Sequence, residues 1–382
     1  MAANSTNTLE QKKTYLERVK RMVVKVGSAV ITGEDGLSRQ VINNLSAEIS
    51  RFVNQGYEVV LVSSGAIACG RKKLGFPKRS FTLTEKQALA ATGQAGLIQS
   101  YEEYFNQYGQ TVAQILLTRT DLEDRHRYLL ARNTILKLLH WRVIPIINEN
   151  DTVAVEEIQF GDNDLLAAMV TGLIGADILI CLSDIDALYD KDPREDPSAR
   201  PVRIVEKIDP SVEKMAGKKP GRLGRGGMVS KLRAAKMVTS LGVPMVIAPG
   251  REPMILEKIF AGEEVGTFFL PAKKISARKF WLAYHPRPEG ALILDEGAVK
   301  ALVEKGKSLL PAGIKEVRGT FVRGACVECL DEKGTRVAIG LTNFSSEEIQ
   351  KIKGCHSSEI CQKLGLGLHD EVIHRDNLVI CE

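Results

Sequence analysis

Residues 1–20 are polar and charged and contain no apolar h-region, so no secretory signal is expected. No run of about 18 apolar residues occurs anywhere, and no membrane span is expected. The seven cysteines, Cys69, Cys181, Cys326, Cys329, Cys355, Cys361 and Cys381, are an odd and scattered set. They do not make a disulfide framework and read as reduced thiols of a cytoplasmic protein. Cys326-x-x-Cys329 with Cys355, His356 and Cys361 departs from the usual zinc spacings, and no metal is assigned to them. There is no G-x-x-x-x-G-K-[ST] motif, so a Walker P-loop is excluded, and no strand feeds a Rossmann glycine fingerprint. The excess of one charge sign is small: 52 Lys and Arg against 47 Asp and Glu leave +5. That balance admits anionic substrates without demanding nucleic acid. No internal repeat is present.

What is there starts with a chain of 382 residues, 44% hydrophobic, which has room for two or three domains with ample core. Its mean hydropathy of -0.07 is that of a soluble globular protein. The stretch from Gly217 to Lys231 holds five glycines and five basic residues with almost nothing to bury. Met228, Leu232, Ala235, Val238 and Leu241 then recur at helical spacing. A flexible cationic loop ending on a helix N-terminus can take an anion, and Lys231, in the first turn, can lean over it. The alternative is a solvated surface loop.

Residues 22–31 form a near-continuous apolar run interrupted by Lys25, Gly27 and Ser28, and read as a buried strand ending in a turn. A lysine inside such a run is costly unless its ammonium meets an anion or carboxylate; the alternative is a strand-end lysine that snorkels to water. Ser38 caps a helix that Gly56 stops. Residues 58–62 are a second strand running into Ser63-Ser64-Gly65-Ala66. Residues 84–108 are a long helix with Thr84 and Gln87 as its capping box, and Asp121 or Thr120 caps the next helix. A third strand, 143–147, runs directly into Asn148-Glu149-Asn150-Asp151. Residues 152–160 alternate like a hairpin arm, and Gly161-Asp162-Asn163-Asp164 opens an apolar helix over 165–174. A fourth strand, 178–182, ends in Ser183-Asp184, and a fifth covers 243–248. Polar clusters thus recur at strand C-termini. This predicts an α/β sandwich around a mainly parallel sheet, with a ligand crevice along the strand ends. From about residue 286 the elements become short, with strands expected near 319–321, 325–330 and 336–341, and read as a small β-rich domain.

An acidic and amide cluster, two lysines in special places and a cationic glycine loop suit phosphoryl transfer, which needs positioning and cations more than covalent help. No His or Cys nucleophile lies among the strand-end clusters. A carboxylate acceptor would need neither a nucleophilic side chain nor a general base.

The segments Val-Val-Lys25-Val-Gly-Ser28, Val-Ser-Ser64-Gly-Ala-Ile-Ala-Cys-Gly70-Arg, Ile-Ile-Asn148-Glu-Asn-Asp151, Gly-Asp162-Asn-Asp164 and Gly-Arg225-Gly-Gly-Met-x-x-Lys231 resemble the glutamate 5-kinase family, in that family's order. Leu294-Asp-Glu-Gly-Ala298 and Ser308-Leu-Leu-Pro-x-Gly-Ile314 are similar to the PUA domain that follows the kinase in bacterial members. The resemblance implies a three-layer αβα sandwich of the amino acid kinase fold over 21–272, a linker over 273–287 and a PUA domain over 288–370. A polar tail at 1–20 and a C-terminal tail at 371–382 complete the expected organisation. It implies ATP-dependent phosphorylation of the L-glutamate side-chain carboxylate to L-glutamyl 5-phosphate, the first step of proline biosynthesis, with ATP and Mg²⁺. By resemblance Lys25 and Lys231 clamp the transferring group and Asp164 holds both lysines. Ser64, Asp151 and Asn163 bind glutamate, with Asn148, Glu149 and Asp162 beside them. Ser183, Asp184 and the segment Arg225, Gly226, Gly227, Met228, Val229, Ser230, Lys231 hold ATP. The Mg²⁺ ligands are left unassigned. Proline is implied as a feedback inhibitor and a homo-oligomer, dimer or tetramer, as the assembly; RNA and membrane are not expected partners. The rival readings are an acetylglutamate or uridylate kinase type, and an RNA-binding protein acting through its PUA domain.

Overall fold

The structure, a computed structural model, describes residues 2–33, 36–154, 163–216, 227–272, 282, 288–356, 359–364 and 371–381. It divides into two compact units, 1–274 and 275–382.

The first unit is built on β1 (Arg21–Val26), β2 (Glu58–Ser63), β3 (Val112–Leu117), β4 (Ile144–Glu149), β5 (Ile178–Ser183), β6 (Ile204–Val205), β7 (Met245–Pro249) and β8 (Thr267–Phe269). They form one eight-stranded sheet in the order β6-β8-β7-β5-β1-β2-β4-β3. All pairs from β7 to β3 are parallel, whereas β8 runs antiparallel to β7 and carries β6 with it. The chain leaves β1 toward β2 on one side and returns to β5 on the other. The order therefore reverses at β1, and a crevice opens outside the strand C-termini there.

Alternation along β1 decides which way each residue faces. Met22, Val24 and Val26 enter the core beneath one helical layer. Val23 and Lys25 point to the opposite layer. The first layer contains α1 (Ala2–Glu17), α2 (Arg39–Asn54), α4 (Leu83–Gln107) and α8 (Ile255–Phe260), which contribute Leu16, Ile42, Leu45, Ile49, Phe52, Leu97, Tyr101, Phe105, Ile255 and Ile259 to that core. Glu48, buried on α2, accepts from the Leu256 backbone N–H at 2.9 Å and so caps α8. Burial raises its carboxyl pKa above the ordinary value. The opposite layer contains α5 (Arg125–His140), α6 (Asn163–Ile174) and α7 (Met228–Ser240). Helix α6 is buried nearly all round, from Leu166 through Val170 to Ile174, as a helix apolar on every side must be.

Between the sheet's end and α4 lies α3 (Ala66–Lys73). The two helices cross at glycine. A Cβ on Gly70 would lie 1.9 Å from the Leu89 carbonyl oxygen, and one on Gly93 would lie 1.9 Å from that of Ala66. Only hydrogen fits between these backbones. At the head of α3, Gly65 has φ +111, and a Cβ there would come within 2.8 Å of Ile31 Cδ1.

The second unit is a five-stranded sheet of β9 (Gly290–Leu294), β10 (Ile314–Arg318), β11 (Cys326–Leu330), β12 (Arg336–Leu341) and β13 (Leu378–Ile380), in the order β10-β9-β11-β12-β13. Helices α9 (Glu296–Val303) and α10 (Ser346–Ile352) cover its core of Leu292, Leu294, Val327, Ala338, Ile349 and Val372.

Several expectations are corrected. The segment expected as a polar tail over 1–20 is instead docked: α1 packs through Leu16, Val19 just beyond it joins the same core, and the buried Lys12 ammonium donates to the carbonyls of Gly262 (3.3 Å) and Glu263 (2.7 Å). The capping box of α4 is Thr82 with Glu85, not Thr84 with Gln87. The motif occurs twice at a two-residue offset, and the earlier copy has a carboxylate that Arg79 also holds. Asp124, rather than Asp121 or Thr120, caps α5. No strand lies at 319–321, because Gly319 turns the chain at φ +86 after β10. Of the expected C-terminal tail at 371–382, residues 371–381 are held in place, since β13 pairs with β12 and Ile373 bridges Leu309. The edge strand β3 was not anticipated at all. The expected linker 273–287, apart from residue 282, lies outside the described residues, as do 155–160 of the expected hairpin arm.

Gly93→Ala should force α3 and α4 apart and lower stability by about 1–3 kcal/mol, the usual cost of overpacking. Thermal melting of the purified variant measures it, and an unchanged midpoint would show that the two helices separate freely.

Candidate active site

Polar residues gather at the C-terminal ends of β1, β2, β4 and β5, and the first two residues of α6 tie them together. Asp164 has no solvent exposure. Its Oδ1 meets the Lys25 ammonium, while its Oδ2 accepts from Lys231 Nζ at 3.1 Å and from Ser230 Oγ at 3.1 Å. The Lys25 and Lys231 side chains are only 4% and 7% exposed. Lys25 reaches this point from the central strand, where it is paired with Val62 on one side and Cys181 on the other. Lys231 reaches it from the first turn of α7, whose N-cap Gly227 carbonyl accepts from Lys231 N at 3.3 Å and lies 2.9 Å from Ser230 Oγ, whose one proton it shares with Asp164. Burial of Leu232, Ala235 and Val238 seats α7 and carries Lys231 inward. Two ammonium groups from distant parts of the sequence therefore share one carboxylate in a place largely shut off from water. Such a pair is suited to the oxygens of a transferring phosphoryl group.

Asn163, one residue earlier, faces another direction. Its Nδ2 shares two protons among three acceptors within reach, Ser64 Oγ (2.8 Å), Asn148 Oδ1 (3.0 Å) and the Ser63 carbonyl (3.2 Å). Asn148 Nδ2 donates onward to Gln94 Oε1 on α4 at 2.8 Å. Glu149 ends β4, half-buried, and Asp151 follows two residues later. Burial pushes the Asp151 carboxyl up to about 6. An ionised carboxylate held in such surroundings gains most from a cation, such as an amino acid's ammonium.

On the other side of β1, Ser183 ends β5; its Oγ donates to Asp184 Oδ1 at 3.2 Å and accepts from Ile185 N at 3.3 Å. Gly27 N donates to the Leu182 carbonyl at 3.1 Å, and Gly250 N to that of Ser183 at 2.8 Å, which draws the three strand ends together. Asp184 is exposed to the crevice's solvent.

Of the residues expected at the site, contacts join Lys25, Asp164, Ser230 and Lys231 in one cluster and Ser64, Asn148 and Asn163 in another. Glu149, Asp151, Ser183 and Asp184 lie on the neighbouring strand ends. Gly227 and Met228 head α7 half-buried, and Val229 is exposed. Asp162, Arg225, Gly226 and the rest of the glycine loop back to 217 lie outside the described residues. Ser63, Gln94 and Tyr101 were not anticipated. Gln94 and Tyr101 lie seven apart on an otherwise apolar face of α4, a spacing that gains meaning only once Asn148 and Ser63, the latter at the end of β2, are seen to face it.

The profile of the Amino acid kinase family matches residues 20–249, and that of the PUA domain matches residues 290–364. The chain is 52% identical to the "Glutamate 5-kinase" of Desulfotalea psychrophila, over 97% of this chain and 100% of that one. It is 51% identical to the "Glutamate 5-kinase" of Caldanaerobacter subterraneus subsp. tengcongensis, over 95% and 98%. Among solved structures it is similar to a carbamate kinase from Giardia lamblia bound to AMP-PNP, at 16% identity and a TM-score of 0.49, covering 67% of this chain and 99% of that one.

Asp164→Asn leaves two buried ammonium groups without their shared carboxylate. A loss of about 3–5 kcal/mol is expected, read as a lower denaturant midpoint that polyphosphate or nucleotide partly restores. A variant as stable as the parent would show that the lysines do not depend on Asp164.

Proposed function

The chain belongs to the glutamate 5-kinase family, and we propose that it transfers the terminal phosphoryl group of ATP to the side-chain carboxylate of L-glutamate. The products are L-glutamyl 5-phosphate and ADP, and the reaction is the first step of proline biosynthesis. The observation that carries this reading onto the site is the pair of buried ammonium groups on Asp164, beside a cluster of amides and carboxylates.

A carboxylate oxygen of glutamate attacks the γ-phosphorus, and the bond from that phosphorus to the bridging oxygen of ADP breaks. The attacking oxygen is already ionised, so no proton has to be removed. Charge spreads over the equatorial oxygens, and Lys25 and Lys231 are placed to stabilise it. Asp164 keeps both ammonium groups oriented without neutralising either completely. Ser64, Asn148 and Asn163 offer hydrogen bonds to glutamate. Asp151, with Glu149 and Asp162, suits its ammonium. Ser183 and Asp184 take the nucleotide together with Arg225, Gly226, Gly227, Met228, Val229 and Ser230. Mg²⁺, carried on the phosphates, would supply further charge neutralisation. No group of three His, Cys, Asp or Glu side chains that could cage it occurs among the described residues, and Asp164 is already committed to lysines.

Proline, an amino acid with the same carboxylate and ammonium, is proposed as a feedback inhibitor overlapping the glutamate subsite. A homo-oligomer and a cytoplasmic location are proposed with it. Among the described residues no helix is long and apolar enough to cross a membrane. RNA binding through the PUA domain has less support. Lys300, Lys315, Arg318, Arg323 and Arg336 each pair with a carboxylate, which blunts the face a phosphate backbone would need.

ADP release on adding glutamate, with acetylglutamate, aspartate and UMP as rival acceptors, tests the activity; release with a rival but not with glutamate would refute it. In that assay Lys231→Ala should lower kcat about 10²- to 10³-fold, as for loss of one preorganised donor. Near-parental turnover would remove Lys231 from the mechanism. The pH dependence follows from Asp151. With its pKa raised to about 6, the carboxyl becomes protonated as pH falls through 6 and can no longer pair with an ammonium. The kcat/KM for glutamate should therefore fall along an acid limb near that pH, and the limb should be absent in Asp151→Asn. A limb that persists in the variant would assign it to another group.

A further inference from the structure

Helix α4 carries Gln87, Gln94 and Tyr101, spaced seven apart and so aligned on one face two turns at a time. Each reaches a different part of the candidate site. Gln87 Nε2 donates to the Ala154 carbonyl at 3.0 Å, beyond Asp151. Gln94 Oε1 accepts from Asn148, and the Tyr101 and Ser63 hydroxyls pair at 2.9 Å, next to Ser64. The Gly70 and Gly93 crossing fixes where this face stands, with Gly93 adjacent to Gln94.

The direction of the hydrogen bonds is forced from one end. The Ser63 carbonyl can only accept. Asn163 must therefore turn its Nδ2 toward it, and Asn148 must answer with Oδ1. That leaves Asn148 Nδ2 as a donor aimed at α4, where an acceptor is required. Gln94 supplies one with Oε1. In doing so it leaves its own Nε2 buried and, among the described residues, without a hydrogen-bond partner. Turning the Gln94 amide over would set two donors against each other. The orientation thus serves Asn148 at the expense of Gln94, and a buried polar atom left in this way calls for an explanation.

We propose that Gln94 is a positioning residue for the amino acid substrate, acting through Asn148 to keep Asn163 and Ser64 aimed at glutamate. The inference rests on the glutamate-phosphorylating reading of the site. Gln94 touches no reacting atom, so its loss weakens glutamate binding and spares the nucleotide.

Gln94→Met keeps the length and shape of the side chain but removes the acceptor. The full-length variant should show a glutamate KM raised roughly 10-fold, the worth of one neutral hydrogen bond at the upper end, with the ATP KM and the kcat within about twofold. Gln94→Glu restores an acceptor and should bring the glutamate KM back toward the parent. In an Asn148→Ala background, Gln94→Met should add nothing further, because the residue it acts through is gone. Thermal melting accompanies each variant, and if Gln94→Met melts early, Gln94→Glu and the Asn148→Ala pair carry the test. A parental glutamate KM in Gln94→Met, a parallel rise in the ATP KM, a Gln94→Glu variant no better than Gln94→Met, or full multiplication of the two losses would each overturn the proposal. If the unmodified protein itself releases no ADP with glutamate, it is the reading of the reaction that fails; if it does, and the variants behave as the parent, only the role of Gln94 fails.

Discussion

Taking Lys25, Lys231 and Asp164 out of water is costly for each separately, and the cost is offset because one carboxylate faces both ammonium groups at once. Much of the first unit's architecture serves that arrangement. Lys25 needs a position in the central strand, with a neighbour on either side to screen it from solvent. Lys231 needs a helix seated firmly enough to drive a charged side chain inward. Asp164 needs the head of a helix that is itself buried. A site of this kind resists rearrangement, since moving any one of the three exposes an uncompensated charge to a medium of low polarity.

Consecutive residues on α6 divide the labour. Asp164 works by charge and reaches β1 and α7; Asn163 works by neutral hydrogen bonds and reaches the ends of β2 and β4. Their side chains leave the helix about a hundred degrees apart. One short segment therefore couples the two clusters across the point where the strand order reverses. The close spacing suits a reaction in which a carboxylate and a phosphoryl group must approach in line.

Some of this was legible in residues alone. Lys25 stood out because a lysine in an apolar run demands a partner, and the partner exists. The polar tetrapeptides after the strands marked the crevice, since turns alone do not need so many amides and carboxylates. Other features were not legible. Gln94 looks like any helix-forming glutamine until Asn148 is seen to need an acceptor. Residues 2–17 look like a tail because their apolar content is low; their helix is secured by Leu16 and by the bonds from Lys12 to residues some 250 positions away. The edge strand β3 follows Gly109-Gln110-Thr111, and its pairing with β4 supplies the hydrogen bonds that local pattern could not reveal.

Local order and chemical inventory were settled by the sequence by itself: alternating strands and helices, a core of β-branched and aliphatic residues, and a stock of lysines, amides and carboxylates at strand ends. These follow from periodicity and from the cost of burying polar groups, both of which act over a few residues. Which lysines meet, which carboxylate they share and which way each amide turns were decided only by tertiary structure. Those choices depend on distances between residues far apart in the chain, set by how closely α3 and α4 can cross and by which face of β1 each side chain occupies.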